Sequence, residues 1–522
     1  MPTNRFAAIT AIALTCALVA FPQRGPVSRE ALPRTADGKP NLEGIWQASS
    51  TAAADLQDHA ARYNMLAGRS VIVGADIPYQ PWAAAKKVEN FQNRQKADPL
   101  NQCYIPGVPR IMYLDFPFQI FQTPQAVAIA FEWSLDYRLI HTDGSRHPID
   151  IDSWMGDSRG HWEGDTLVVD VSNNNDKTWF DMAGDFHSDA LHVVERYRMT
   201  DPGTIQYEAT IEDTKVFTKP WTIRIALHRR TDRDRLFEYV CQAEAEEASG
   251  AFTREERTWY PGNGTTPTPS TSAAPRSLAA PTKTVVNLRR RADGKPDLQG
   301  FYVPDGGGAN YGLAKHAATD VTPGGRGVII DPSDGSLPMQ PWAAQEKADR
   351  NRTERGYDDP TAHCFPAGVP RSMYVPTSFQ IIQTSGYILI LHERTSWRII
   401  ALNGRAHLPD AIRLWQGDSV GHWEGDTLVV DTTNFNGKTW LNEVGEIVSY
   451  AEHAVERFIP AGPDTVNYEA TVTDPVVYTR PWTIALLLKR DNKFELNEAA
   501  CHEEDRDLPR LKALKDAAAG KR

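Results

Sequence analysis

The stretch GDSRGHWEGDTLVVD, residues 156–170, recurs as GDSVGHWEGDTLVVD, residues 417–431, with one difference between the copies. In each copy EGDT separates two runs of strand-forming residues. Glycine adopts positive φ without strain and aspartate tolerates it, so Gly164 with Asp165 is typical of a tight turn. The stretch therefore predicts a β-hairpin whose second strand, TLVVD, lies in the wall of a sheet.

The same stretch also allows two functional interpretations besides the structural role of a hairpin. His161, Glu163 and Asp165 occupy alternate positions, which share one face of a straight strand and would suit a metal or acid–base site. The turn at Gly164 breaks that alternation, so the pattern favours a scaffold and we predict no metal. His161 and its counterpart His422 remain candidates for contact with a ligand.

The rest of the chain repeats in the same way. Further motifs occur once in each half, in the same order and about 260 residues apart: ADGKP at 36 and 292, GVPR at 107 and 368, FQI at 118 and 379, HVVER or HAVER at 192 and 453, and PWTI at 220 and 481. This period is too long for a solenoid repeat and indicates duplication of a whole domain. We predict domains over residues 30–260 and 287–508, a Pro/Ser/Thr-rich linker over 261–286 and a helical tail over 509–522.

Each half is predicted to be mostly β. Short runs rich in Val, Ile, Thr and aromatic residues alternate with turn sequences such as TSG, NGR, EGD and GPD, as in sequential hairpins. Helical patterns occur only at PWAAQEKADRNRTER, at its first-half counterpart and in the tail. We predict a tandem duplication of an antiparallel up-and-down β-barrel of the calycin or lipocalin type, with a β-sandwich as the alternative.

Composition and missing motifs exclude several functional classes. The 522 residues are 41% hydrophobic and 24% charged, as in a globular protein, and the net charge is -11. No long Lys/Arg run is present, so nucleic acid is not an expected partner. The sequence has no Walker loop, dinucleotide fingerprint, G-x-S-x-G elbow or H-E-x-x-H motif, and we predict no nucleotide cofactor.

The N-terminus predicts export. Arg5 precedes an apolar run over residues 6–21, so we assign residues 1–22 to a secretory signal peptide, with cleavage plausible after Ala20. An uncleaved anchor and lipidation of Cys16 are the alternatives, although Thr15 does not suit a lipidation motif. No later run reaches the roughly 20 apolar residues of a membrane span. The predicted location is therefore the periplasm or the exterior.

The cysteines fit that location. Four of them follow the predicted signal peptide, and an even number in an exported chain predicts two disulfides out of three possible pairings. The duplication favours the symmetric pairing, because equivalent cysteines then bond within each half. A four-cysteine metal site is disfavoured, since no C-x-x-C pair is present. The predicted bonds are Cys103 with Cys241 and Cys364 with Cys501.

The strand HVVER supplies the catalytic candidates. His192 and Arg196 share one face of this strand, and Glu195 lies on the other. Whichever face points into a barrel, a charge is buried and must be paired. A His beside an Arg would act as a neutral general base with a cation for an oxyanion or carboxylate, which suits a lyase, hydratase or hydrolase. The alternative is an Arg–Glu bridge between strands with His in the wall. The second copy supplies His453, Arg457 and Glu456.

Other recurring side chains are candidates for ligand contact. Tryptophan stacks on sugar rings and flat aromatic molecules, although in a small barrel it also fills the core. Glutamates at strand ends could serve as pocket acids, with solvation as the alternative. Arginines in GVPR could bind a carboxylate, with loop bracing as the alternative. The candidates are Trp154, Trp162, Trp415, Trp423, Glu132, Glu393, Arg110 and Arg371.

The motifs GVPR, PFQIFQT, GHWEGDTLVVD, HVVER and PWT resemble those of a family of exported bacterial proteins, once per half and over nearly the whole predicted mature chain. This resemblance implies no particular activity or catalytic residue. The GHWEGDTLVV hairpin is also similar in style to calycin barrels, whose tandem members include hydratase-like proteins, cyclases and plain binders, and fold alone does not set function.

Two functions are therefore predicted. The first is a periplasmic enzyme that acts on a small aromatic, terpenoid or sugar-like molecule. The second is a non-catalytic protein that binds such a ligand in the same pocket. The copies differ at Trp46 against Tyr302, and the insert DGGGANYG occurs only in the second half, so one barrel can work while the other stabilises. Oligomeric state is left open.

Overall fold

The structure of the chain is a computed structural model. It describes residues 31–62, 65–74, 76–250, 287–319, 322–394, 396–505 and 507–520. The predicted signal peptide, residues 1–22, and the predicted linker, residues 261–286, lie outside these ranges.

Each half of the chain forms a closed β-barrel, as predicted, and the closure excludes the sandwich alternative. The first barrel consists of β1 (Gly44–Ala48), β2 (Phe118–Gln122), β3 (Ala126–Phe131), β4 (Tyr137–His141), β5 (Asp157–Glu163), β6 (Thr166–Ser172), β7 (His192–Asp201), β8 (Thr204–Glu212) and β9 (Trp221–Arg229). The second consists of β10 (Gly300–Asp305), β12 (Phe379–Gln383), β13 (Tyr387–His392), β14 (Ser396–Ala401), β15 (Asp418–Glu424), β16 (Thr427–Thr433), β17 (His453–Gly462), β18 (Thr465–Thr473) and β19 (Trp482–Arg490). A short strand, β11 (Ile329–Asp331), pairs with β19 outside the ring.

The described helices are short and lie outside the barrel walls. The α-helices are α1 (Pro81–Ala97), α2 (Cys241–Ser249), α3 (Pro341–Arg350), α4 (Cys501–Glu504) and α5 (Leu508–Ala519). Pro81 and Pro341 open α1 and α3, as expected from proline's fit to the first helical turn. The 3-10 helices are Pro99–Gln102, Arg110–Tyr113, Ala309–Tyr311, Thr353–Asp358, Pro360–His363 and Arg371–Met373.

One strand pair in each barrel departs from the predicted antiparallel order. β4 and β5 run parallel, with Ile140 beside Ser158, and β14 and β15 repeat this with Ile400 beside Ser419. Nine strands cannot alternate direction all the way around a closed ring, so an odd barrel requires at least one parallel pair. The long connection over residues 142–156 makes that pair possible in the first barrel, because parallel neighbours need a crossover rather than a tight turn.

The repeated stretch forms the predicted hairpin between β5 and β6. Glu163 faces Thr166 across the turn, and Gly164 has φ +58. Gly160 lies where β5 crosses β4, and a Cβ at this position would come within 2.8 Å of Ile140. The block therefore serves the architecture twice, at its turn and at this close crossing.

The two halves are tied together by their C-terminal segments, each of which packs on the other barrel. In the segment after β9, the Glu238 carboxylate accepts hydrogen bonds from the backbone N–H groups of Trp415 and Gln416. In the segment after β19, Glu498 accepts from Trp154 and Met155 at 2.7 and 3.0 Å. Each half therefore contributes an equivalent C-terminal segment to the surface of the other, as expected for a duplicated domain.

The two predicted disulfides are present. Cys103 bonds to Cys241, and Cys364 bonds to Cys501. Each disulfide attaches one of these C-terminal segments to the barrel of its own half. Each segment is therefore fixed to its own barrel by the disulfide and to the other barrel by the hydrogen bonds described above.

Replacing Glu238 by glutamine should reduce the dependence of stability on pH. Burial raises the pKa of Glu238 to about 7, whereas an unfolded glutamate titrates near pH 4.3. The folded carboxyl therefore holds a proton that the unfolded chain has released, and its stabilising contribution is lost as pH rises from about 4 to 7. Melting temperatures between pH 4 and 8 should fall less steeply in Glu238→Gln than in the parent. Glu89→Gln, on the exposed surface of α1, is the matched control; an equal slope in all three proteins would refute this.

Candidate functional site

The HVVER stretch, which supplied the catalytic candidates, lies in β7. The face of β7 that carries Glu195 points into the barrel. Glu195 is fully buried and forms a two-oxygen ion pair with Arg138 of β4. Tyr207 donates to the same carboxylate at 2.7 Å. Glu456, Arg398 and Tyr468 repeat the arrangement in the second barrel. The interior thus holds an Arg–Glu bridge between strands, which is the alternative that the sequence left open, and its arginine comes from β4.

His192 and Arg196 lie on the outer face and do not form a pair. His192 Nε2 lies 3.1 Å from Asp170 and its Nδ1 lies 3.4 Å from Glu212. Arg196 forms an ion pair with Glu163 on the neighbouring hairpin. In the second barrel His453 contacts Asp431, and Arg457 contacts Glu424. The predicted couple of a neutral base and a cation is therefore absent from these strands.

A second histidine in each half extends these contacts into a network. His147 Nδ1 lies 2.5 Å from Asp157 and its Nε2 lies 2.9 Å from Asp170. Its counterpart His407 bridges Asp418 and Asp431, and these carboxylates raise the pKa of His407 to about 9. His407 is consequently charged at neutral pH. A charged imidazole between two carboxylates braces a loop on the barrel wall and is unsuited to accept a proton.

The proposed ligand residues of the repeated hairpin are exposed. His161 and His422 each lie 3.3 Å from the glutamate two positions further along, with 62% and 61% of their side chains exposed. Asp165 forms an ion pair with Arg34. His161 thus contacts Glu163, whereas Asp165 pairs with Arg34, so the three side chains do not form one cluster.

The four tryptophan candidates have different surroundings. Trp154 is buried against Tyr104, and Lys177 lies over its ring. Trp415 packs on Phe365 and lines an open groove of 650 Å³ between α2 and the second barrel. Trp162 and Trp423 pack against the two barrel cores, with Lys39 and Lys295 over their rings. Of the four, Trp415 alone lines a described groove.

The charged candidates in loops and at strand ends brace the fold. Arg110 and Arg371 are buried, and each forms a bidentate ion pair, with Asp98 and Asp359 respectively. Glu132 accepts hydrogen bonds from Arg233 and from the Phe237 backbone. Glu393 accepts from the Ser378 backbone. For the two arginines these contacts match the loop-bracing alternative, although Arg371 also lines the cavity described next. The two glutamates have protein partners and are not simply solvated.

A cavity of 260 Å³ lies at the end of the second barrel where it meets the first. At this end β12 begins, β13 ends with His392, and β14 begins. The turn between β3 and β4 closes the cavity from the first barrel with Ser134, Leu135 and Asp136. The Cys364–Cys501 disulfide forms another part of its wall. The cavity therefore combines both halves of the chain.

Four buried polar atoms that line this cavity have no hydrogen-bond partner among the protein residues that the structure describes. They are Asp136 Oδ2, Ser134 Oγ, Ser372 Oγ and His392 Nε2. Buried polar groups in native proteins are nearly always hydrogen-bonded, so several unsatisfied ones around a single void call for an explanation. A bound molecule with its own donors and acceptors would satisfy them.

The two titratable members of this set are held uncharged. Burial and the nearby carboxylates of Glu503 and Glu498 raise the pKa of Asp136 well above its usual range. Burial and the positive charge of Arg398 lower the pKa of His392 to about 3. The raised pKa of Asp136 favours its protonated form, which can donate a proton, and the imidazole of His392 is neutral at neutral pH. Perturbed groups that line one cavity are typical of functional sites.

The turn that carries Asp136 has an energetically unfavourable backbone conformation. Ser134 and Leu135 have φ values of +49 and +60, in the left-handed region that non-glycine residues rarely adopt. The Asp136 N–H donates to the Trp133 carbonyl at 3.0 Å, which closes the turn. The strained conformation places Leu135 among inter-barrel apolar residues and Asp136 at the cavity. Backbone strain of this kind concentrates at functional sites.

Comparison of the two halves explains why the equivalent end of the first barrel differs from that of the second. There, Phe116, Trp133 and Tyr239 pack together with ring centroids 4.8 to 5.3 Å apart. The repeated motifs align these three aromatic residues with Thr377, Arg394 and Ala499, and they align Phe131 with His392. Smaller or polar side chains at these positions leave space at the end of the second barrel. The two copies therefore differ in the side chains that fill this end of the barrel.

Sequence reasoning missed Asp136, Ser134, Ser372 and His392. The insert DGGGANYG was singled out, and it does contribute Asn310 and Tyr311 to the cavity wall. A further signal was present where the otherwise similar copies differ, at FEWSLD against HERTS. Similarity between the copies marked the scaffold, whereas their differences marked the cavity.

One potential metal cluster occurs among the residues that the structure describes. Asp55, Asp181 and Asp185 each place a carboxylate oxygen within 4.8 Å of the others. Lys87 forms an ion pair with Asp185 at 2.9 Å, and Tyr79 donates to the same carboxylate at 2.6 Å. The acids thus have protein partners of their own.

The chain matches no protein-family model and no curated protein. Within the described ranges, no helix is both long enough and apolar enough to cross a membrane. Function must therefore be argued from the cavity and its residues.

Proposed function

We propose that the cavity at the end of the second barrel binds a small organic molecule, and that Asp136 and His392 act on it as general acid and general base. The observation that carries this proposal is the set of four unsatisfied polar atoms around one void. A ligand site typically combines apolar walls with a few convergent polar groups. Here Leu135, Phe365 and Val375 supply such walls.

The protonation states suit acid–base chemistry at neutral pH. A protonated carboxyl can donate a proton to a leaving oxygen or carbonyl, and a neutral imidazole can accept a hydrogen bond or a proton from a polar group of the ligand. This is the requirement of a lyase, hydratase or hydrolase that acts on a small aromatic, terpenoid or sugar-like molecule. Two disulfides also fit an oxidising compartment, so we place this activity in the periplasm or outside the cell.

A non-catalytic ligand-binding protein is the second candidate. It is favoured by the disulfide in the wall, because Cys364 and Cys501 hold two sides of the cavity in a fixed position. A preformed cavity binds without the cost of ordering its walls.

His392→Phe tests the site, because phenylalanine occupies the equivalent position in the first barrel without disturbing the strand. Purified protein is incubated with a panel of small alcohols, esters and unsaturated carbonyl compounds, and bound compounds are identified by native mass spectrometry. We expect the parent protein to retain compounds that His392→Phe loses. The double variant His192→Ala/His453→Ala, altered on the outer faces, is the control and should retain them. Equal retention by His392→Phe and the parent would contradict the site.

Asp136→Asn separates the two candidate functions. Asparagine keeps the shape and hydrogen bonds of the side chain but has no acidic proton. For an enzyme, the retained compound should still bind, and its turnover should fall by about 100- to 10,000-fold. No turnover by the parent protein of any retained compound would favour the binding protein.

A further inference from the structure

The charged groups around the cavity define what its ligand can carry. Those that line it directly are Asp136, Arg371, Arg394, Glu443 and Glu503. Arg371 is neutralised by its bidentate pair with Asp359, and the Glu443 carboxylate accepts a hydrogen bond from Asn310 at 2.7 Å. Arg394 is exposed at the rim. The buried surroundings of Asp136 and His392 therefore decide the charge that the interior accepts.

The end of the cavity near Asp136 disfavours a negative ligand. Glu503 and Glu498 act on this carboxyl with like charge, and the Glu503 carboxylate is held in place by a hydrogen bond from the Ile105 backbone at 2.7 Å. A ligand anion would meet the same two carboxylates at low dielectric, where charge repulsion is strong.

The end near His392 disfavours a positive ligand. His392 is 4% exposed, and the Arg398 guanidinium acts on it from inside the barrel. Arg398 is itself held by Glu456 and Ser419, so its charge is largely balanced, as it is for Arg371. A buried ligand cation beside His392 would still lose its hydration next to a neutral imidazole, and the Glu443 carboxylate is already engaged by Asn310.

The hydrogen-bonding groups and the volume of the cavity restrict the chemical class and the size of the ligand further. Asp136 offers a carboxyl proton and needs an acceptor, while His392 Nε2 has no hydrogen-bond partner within the described ranges. A hydroxyl both accepts and donates, so it satisfies either residue. The volume of 260 Å³ lies below the roughly 300–1,000 Å³ of typical drug-sized sites, so the molecule is small.

We infer that the ligand is a small uncharged molecule with an apolar body and hydroxyl groups, which accept a hydrogen bond from Asp136 and donate one to His392. This inference rests on the proposed function of the same cavity. It excludes carboxylates, phosphates and amines as the part of the ligand that enters the interior.

Three probes of matched shape test this inference: benzyl alcohol, benzoate and benzylamine, which is a cation at neutral pH. Each is titrated into the full chain and into His392→Phe, and binding is followed by ligand-observed NMR. Benzyl alcohol should bind the parent protein at least tenfold more tightly than either ion and should lose that affinity in His392→Phe. Glu503→Gln should raise the affinity for benzoate severalfold relative to that for benzyl alcohol, because it removes one of the two repelling charges.

The outcomes separate the two proposals. If benzoate or benzylamine binds the parent at least as tightly as benzyl alcohol and His392→Phe removes that binding, the cavity is a ligand site but the inferred ligand class is wrong. If no probe distinguishes the parent from His392→Phe, both the site and the ligand class are overturned.

Discussion

Replacement of Arg138 by methionine should lower the free energy of unfolding of the first barrel by about 3–5 kcal/mol. Arg138 donates to both oxygens of Glu195, to Ser158 and to the Tyr197 hydroxyl inside the barrel. Methionine fills a similar volume but leaves a fully buried carboxylate without its cation. Urea denaturation followed by tryptophan fluorescence measures the loss, and the two barrels are analysed as separate transitions where they resolve.

Two further variants establish that the lost pairing is the cause. The double variant Arg138→Met/Glu195→Leu should recover most of the stability, because a buried ion pair and an apolar replacement of similar volume are often nearly equivalent. Arg196→Met, on the same barrel but exposed, removes only a surface ion pair with Glu163 and should cost no more than about 1 kcal/mol. A loss in Arg138→Met no larger than in Arg196→Met would refute the importance of the bridge.

The Arg138–Glu195 ion pair also shows which features of the fold could be predicted from the sequence. The alternation of HVVER predicted that one face would bury a charge, and Glu195 is that charge. Alternation separates the two faces of a strand but does not tell which one points inward. Arg138 could not be identified as the partner, because its position across the barrel depends on the register of the strands from β4 to β7. The hairpin, the duplication and the disulfides depend on local or repeated patterns, and they were predicted correctly.

The cavity was missed for a related reason. Asp136 belongs to a turn of the first barrel and His392 to a strand end of the second, and they line one space only after the two barrels pack together. No local pattern links them. The parallel pair β4–β5 was also unforeseen, since it follows from the number of strands in the closed ring rather than from any one strand.

Replacement of Asp136 by asparagine should raise stability at pH 8 by about 1–3 kcal/mol, because asparagine does not need the proton that the buried carboxyl must take up at this pH. The raised pKa of Asp136 means that the folded protein holds a proton that the unfolded chain releases near pH 4. Its contribution to stability is therefore complete below that pH and is lost as pH rises toward the folded pKa. Asparagine carries no such proton, so the variant should gain on the parent steadily between pH 5 and 8 in urea denaturation.

Asp98→Asn provides the matched control, because Asp98 is equally buried but holds Arg110 through two hydrogen bonds. That variant should lose stability at every pH in this range, since it leaves a buried guanidinium without its counter-ion. A residue kept for the fold destabilises the protein when it is replaced, whereas a residue kept for function at the expense of the fold stabilises it. If Asp136→Asn loses stability at pH 8 as Asp98→Asn does, Asp136 is a structural acid and cannot be the proton donor of the cavity.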